Sequence, residues 1–390
     1  MTYIGSLKAH DADSHIMELP DFLAEYVESD LHDRFASIDM RGSAPCEVSF
    51  DEAIARGGRH DADRVSEMLA LGDQILTGPK NHDALGAFDS EERRQVLDLL
   101  GVCSQLVFGT QGLTLLHHPK VEIDIRYRAT RAFNRAMSDF TSADPRLLGV
   151  ALVPLDDPER AVAELDFLLK LPGLGAVLVP HRDCGGRSPG HLAFDPFWAR
   201  LCEARVPFAL HVGGGPRPVK DAWFENGRPR PSDWFGGAEN VRAKDMIALN
   251  HAPEIFLSAM IADGVFERFP SLTGAVVELG AGWVPAFVKK LDWAFEIWRK
   301  SDAGLAELTR KPSEVVSSQL AFTPFVYEDV GDLIRQSSAD LYLFSTDYPH
   351  REGGRDPLGK FSGTLTEIGA ADQQKFFSHN FERVIPLACA

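Results

Sequence analysis

The sequence predicts an α/β fold, a distorted (β/α)8 TIM barrel with loop insertions, on three observations. From about residue 100, short β-branched runs alternate with longer amphipathic stretches, the rhythm of βα units around a parallel sheet. The strand candidates number eight. Four short segments far apart in the chain end hydrophobic runs on metal-binding side chains, and parallel barrels gather their strand tips at one catalytic face. A chain of 390 residues exceeds a plain barrel of roughly 250 but stays within the range that inserted loops produce. One elaborated domain over 1–390 is therefore expected rather than two.

The first strand candidate is LKAHDAD at 7–13. Residues 40–95 then break the rhythm with glycine, charge and few apolar clusters, and read as an insertion. Strand CSQLVFG at 103–109 precedes a helical pattern at 121–140, and LLGVALVPL at 147–155 precedes another at 158–169. The latter opens on proline, whose missing N–H is harmless in a first helical turn. GAVLVP at 175–180, a helix at 194–204 and PFALHV at 207–212 continue the alternation. A Gly/Pro-rich stretch at 213–240 carries Trp223, Phe224, Trp234 and Phe235. It follows the fifth strand, which puts it on the catalytic face as a lid or pocket wall. Ile255, Phe256, Ala259, Met260, Phe266 and Phe269 recur at helical spacing over 254–269. GAVVEL at 274–279, QLAFTPF at 319–325 and LYLFST at 341–346 complete the strands.

Composition narrows the function classes. At 44% hydrophobic and 25% charged residues, the chain reads as a globular protein with a large core. The excess of 57 acidic over 40 basic side chains gives −17, which repels nucleic acid and anionic membranes. Five scattered cysteines without a C-x-x-C pair indicate neither a disulfide framework nor a zinc ribbon, so a cytoplasmic location is expected. The start has no apolar leader region, and no stretch approaches the ~18 apolar residues of a membrane span.

The candidate site is assembled from strand ends. Asp13 and His15 in DADSH are two apart, so on a strand both side chains face one way and can grip one ion; Asp11 lies on the same side and competes. His211 ends PFALHV, where an imidazole among aliphatic residues needs partners for both nitrogens, either a metal or a backbone carbonyl. Asp347 follows LYLFST at a proline turn, and reads as a ligand or as an ordinary turn aspartate. Glu278 in AVVELGAG is a carboxylate in a buried strand, which must be cation-paired or kept protonated. His181 ends the fourth strand and faces the site as a substrate contact or stands in a loop. Arg217 and Trp234 are substrate-contact candidates through their place in the 213–240 loop. A mixed histidine and carboxylate set suits one divalent ion, Zn²⁺ first and Mn²⁺ as the alternative.

Together these motifs resemble the amidohydrolase-related family that includes aminocarboxymuconate-semialdehyde decarboxylase and γ-resorcylate decarboxylase. The resemblance is carried by DADSHIMELPDF, PFWARLCEARVPFALHVGG, the block MIADGVFERFPSLTGAVVELGAGWVPAFVKKLDW, and FSTDYPHREG with FFSHNFERVI. It implies a distorted barrel holding one divalent ion on Asp13, His15, His211 and Asp347, and self-association as a homodimer or larger homo-oligomer. The activity it implies is non-oxidative decarboxylation of an aromatic or unsaturated carboxylic acid, a small-molecule substrate, with Asp347 or Glu278 delivering a proton. Many relatives carry H-x-H or E-x-H where this chain has Asp13-Ser14-His15, and the better-studied decarboxylases carry histidine where Glu278 stands. Hydrolysis of an amide, lactone or carbon–carbon bond by an activated water, with Asp347 as base, is the alternative reading.

Overall fold

The structure is a computed structural model describing residues 1–19, 22–32, 55, 57–116, 121–215, 219–229 and 241–386. Six strands, β1 (Gln105–Val107), β2 (Leu147–Leu152), β3 (Leu174–Leu178), β4 (Phe208–His211), β5 (Gly274–Val277) and β6 (Leu320–Phe322), form one sheet. Their order is β1-β2-β3-β4-β5-β6 and every neighbouring pair is parallel. Apart from Leu174 at the start of β3, every strand residue is buried. That is why these runs read as continuous apolar stretches, the signature of a parallel sheet covered on both faces.

The crossovers are helical where the 3.6-residue pattern places them. Helices Ile123–Thr141, Pro158–Leu168 and Asp195–Ala204 lie within a residue or two of the predicted bounds. Asp157 caps the second, accepting from the N–H groups of Glu159 and Arg160. The expected 254–269 helix is two helices, His251–Ala262 and Val265–Arg268. Gly264 separates them with φ 71°, a left-handed conformation that glycine adopts without strain.

The first and last strand candidates, 7–13 and 341–346, are not strands of the sheet. They make isolated parallel bridges instead: Asp11 with Gln105, His15 with Phe108, Ser14 with Tyr348, and Phe322 with Tyr342. Some of their ladder donors are diverted. The Asp11 carboxylate accepts from the Thr346 N–H at 2.8 Å and the Thr346 hydroxyl at 2.6 Å. The N–H groups of His10 and Phe344 donate to the carbonyls of Phe377 and Phe376, within the π-helical turn Lys375–His379.

The described part of 40–95 contains helix Ala62–Leu69 and leads into helix Ser90–Leu100, with 3₁₀ turns Gly72–Thr77 and Asn81–Asp83 between. It is fastened to the sheet and to the Tyr348–Pro349 turn by hydrogen bonds. Buried Arg93 donates to the carbonyls of Gly86 and His15 and to Gln105 Oε1. The Tyr348 hydroxyl donates to the Leu85 carbonyl at 2.6 Å, and the Asn81 N–H donates to the Pro349 carbonyl at 2.8 Å. Among the described residues no helix is long and apolar enough to cross a membrane.

Candidate metal and active site

Four of the sequence candidates meet above β4 and β5. His211 is the last residue of β4 and Glu278 the first after β5, while Asp13 and His15 lie on the segment bridged to β1. Ligand atoms of Asp13, His15, His211 and Glu278 all lie within 4.8 Å of one another. A second group with the same mutual spacing joins His15 and Glu278 to Asp347 and His350. His15 Nε2 stands 3.3 Å from Asp13 Oδ1, 3.5 Å from Asp347 Oδ1 and 3.8 Å from Glu278 Oε2. His211 Nε2 stands 3.4 Å from both Asp13 Oδ1 and Glu278 Oε2.

The imidazoles are held by their outer nitrogens. His15 Nδ1 lies 3.0 Å from the Gly109 carbonyl and His211 Nδ1 lies 2.7 Å from the Val212 carbonyl. A carbonyl only accepts, so both Nδ1 atoms carry the proton and both Nε2 lone pairs face the shared space. His350 stacks on His15 with centroids 3.9 Å apart; its Nε2 meets the Thr110 hydroxyl at 2.9 Å and its Nδ1 lies 3.1 Å from Asp347 Oδ1.

Local backbone aims the two acids. Glu278 and Asp347 both have φ 53°, a left-handed conformation that costs a β-carbon residue on the order of 1–3 kcal/mol and persists only when the surroundings impose it. Here they do. The Glu278 N–H donates to Thr323 Oγ1 and the Asp347 N–H to the Asp13 carbonyl, each at 2.8 Å. Glu328 accepts from the N–H groups of Ala281, Gly282 and Phe325, bracing the loop that follows β5.

Electrostatics favour a cation at this point. Burial raises the Asp13 carboxyl, but its His15 and His211 neighbours outweigh it and hold the group below the usual carboxylate range. Burial, then the charge of His350, push His15 down to about 3, which keeps its imidazole neutral and able to ligate. Burial lifts Asp347 to about 7. His15 Nε2 and Asp347 Oδ1 are buried and have no hydrogen-bond partner among the described residues. Burying such groups unpartnered is costly, and a divalent ion between imidazole and carboxylate satisfies both; the donor set fits. Beside them a cleft is lined by Asp13, Glu278, Asp347 and Glu352, with Phe325, Val326 and Phe361.

His181 is buried but belongs to neither metal-spaced group. It packs on the glycine run after β4: a β-carbon on Gly215 would lie 2.6 Å from its ring. Arg217 and Trp234 lie outside the described residues. Sequence reasoning missed His350 and Glu352. His350 was within reach, standing three residues after Asp347 in the FSTDYPH segment.

A parallel α/β sheet with a cation-ready set of imidazoles and carboxylates at its strand ends defines a class of metal-site enzymes with an α/β sheet core. The family is narrower. Residues 119–387 match the amidohydrolase family model, and the chain belongs to that family. The match begins after Asp13 and His15, which the fold brings to the same place. The gamma-resorcylate decarboxylase of Polaromonas sp. strain JS666 is 27% identical over 266 residues, covering 66% of this chain and 76% of that protein. The crystal structure of an amidohydrolase from Mycobacterium avium subsp. paratuberculosis K-10 has a TM-score of 0.71 at 22% identity, over 98% of this chain and 99% of that one. The 5-carboxyvanillate decarboxylase of Novosphingobium aromaticivorans DSM 12444, complexed with manganese and 4-hydroxy-3-methoxy-5-nitrobenzoic acid, has a TM-score of 0.63 at 17% identity, over 98% of this chain and 96% of that one. At these identities both solved structures speak for the fold.

Proposed function

We propose that the protein is a metal-dependent, non-oxidative decarboxylase of an aromatic carboxylic acid, with Asp13, His15, His211 and Asp347 holding one divalent ion. The observation that carries the reading is that His15 and Glu278 are shared by two metal-spaced groups, one with Asp13 and His211 and the other with Asp347 and His350, in a chain similar to γ-resorcylate decarboxylase. The parallel bridges that flank β1 and β6 support a closed ring of eight units, in which 11–15 and 342–348 are the first and last staves. Manganese replaces zinc as the first choice, because carboxylates supply much of the donor set and a fold neighbour carries that ion. When bound, the ion supplies Lewis-acid polarisation of substrate oxygen.

The protein's own groups do the rest. Asp347, whose Oδ1 lies 3.1 Å from His350 Nδ1, carries the proton that passes to the ring carbon bearing the carboxylate. The bond from that carbon to the carboxylate then breaks, its electron pair restores the aromatic ring, and carbon dioxide leaves. Asp347 regains its proton from solvent. Glu278 borders the same space and is the second acid able to pass a proton. His181, with Arg217 and Trp234 from the loop after β4, contacts the substrate.

Manganese-reconstituted protein incubated with γ-resorcylate and related hydroxybenzoates in ¹⁸O-water tests this reading. One carbon dioxide per phenolic product, with no label in that product, is expected. Label in the product without carbon dioxide would establish hydrolysis and end the decarboxylase proposal.

A further inference from the structure

Lys80 sits in the segment between the first strand candidate and β1, and its Nζ is buried without a hydrogen-bond or ion-pair partner among the described residues. An ammonium in that state is expensive to maintain, so its presence calls for a counter-charge that arrives from outside. Its location says what that counter-charge is. Nζ lies 5.7 Å from the ring centroid of Tyr348, the residue after Asp347, and the next backbone group, the Asn81 N–H, is tied to the Pro349 carbonyl at 2.8 Å. Asn81 itself has φ 56°, so the chain is bent locally to make this connection. Burial pulls the Lys80 ammonium down to about 8 against the opposing charge of Asp347, with Arg355 lowering it and Glu352 raising it. The two acids in that group both line the cleft.

The charge balance of the cleft points the same way. Asp13, Glu278, Asp347 and Glu352 line it, four acidic side chains of which Asp347 holds its proton in the proposed reaction. An anionic substrate entering that cleft needs a further positive group.

Resting on the decarboxylase reading, we infer that Lys80 is a substrate-positioning residue whose ammonium receives the carboxylate of the aromatic acid. The segment that interrupts the barrel rhythm thereby completes the site: it carries the cation that orients the scissile carboxylate relative to Asp347.

Binding measurements separate this role from a structural one. Manganese-loaded wild type, Lys80→Met and Lys80→Arg are titrated with 2,6-dihydroxybenzoate and with resorcinol, the same ring lacking the carboxylate. Lys80→Met should weaken 2,6-dihydroxybenzoate by at least about tenfold, the loss of one charge-assisted contact, while leaving resorcinol affinity and manganese stoichiometry unchanged. Lys80→Arg should recover most of the loss. Equal weakening of both ligands, no weakening of either, or a wild type that binds no 2,6-dihydroxybenzoate overturns the assignment. Lys80-dependent binding without carbon dioxide release would instead overturn the decarboxylase reading and leave the assignment standing.

Discussion

His211 shows how a single side chain is committed to a site. Its Nδ1 is tied to the Val212 carbonyl and its Nε2 faces Asp13 and Glu278, so the ring has one orientation, with Nε2 aimed at the two acids. His211→Ala should lower manganese affinity by more than about 100-fold, since loss of outer partners alone costs ten- to a hundred-fold. Metal analysis after dialysis checks this, and an unchanged far-UV spectrum shows that the protein is folded; activity that survives removes His211 from the ligand set. Asp347→Asn keeps the shape but cannot deliver a proton, and should cut kcat by about 10²- to 10⁴-fold while 2,6-dihydroxybenzoate still binds. Retained kcat would pass the proton role to Glu278. Asp13, His15, His211, Glu278 and Asp347 were legible in the sequence because each breaks or ends an apolar run, where a polar group needs a reason. Lys80 was not, because a lysine in a polar segment looks like any solvated lysine until the fold buries it.

At the scale of elements, strands β1 to β6 were readable as apolar runs because a parallel sheet buries both faces, and the helices because their apolar stripe repeats every third or fourth residue. What failed was hydrogen-bond accounting. No periodicity reveals that Asp11 replaces ladder bonds with side-chain bonds to Thr346, or that a π-helical turn near the C-terminus takes the donors of His10 and Phe344. Gly264 likewise divides a helix whose apolar spacing runs straight through it. Loops after the strands are set by buried acids that sequence pattern does not flag. Glu18 is buried and accepts from the N–H groups of Thr110, Gln111 and Gly112, and Thr110 in turn contacts His350. Glu18→Ala strands these donors and should destabilise the protein by about 3 kcal/mol, at roughly 1–3 kcal/mol for each unsatisfied group with partial relief by water. Chemical denaturation measures it. A loss under about 0.5 kcal/mol, the range of an ordinary surface change, would mean that the loop after β1 does not depend on this acid.

For the whole molecule, charge and metal are one problem. The chain carries −17 overall, and the cleft adds local repulsion by collecting Asp13, Glu278, Asp347 and Glu352 within one low-dielectric space. The site joins residues from opposite ends of the sequence, since Asp13 and His15 lie near the start and Asp347 and His350 near the end. A cation there links the two outer segments, which meet the sheet through isolated bridges and hydrogen bonds and not as strands of it. Binding to the folded state alone stabilises by RT ln(1 + [M]/Kd), about 4 kcal/mol at a thousandfold excess over Kd. For a chain of this size that corresponds to several degrees in Tm. Stripping the protein with a chelator should therefore lower Tm by several degrees, and adding back manganese should restore it. The same cycle applied to His211→Ala should give a much smaller shift, because the ligand set is incomplete. Differential scanning fluorimetry over a manganese titration reads both, and equal shifts in wild type and His211→Ala would place the stabilising ion somewhere other than this site.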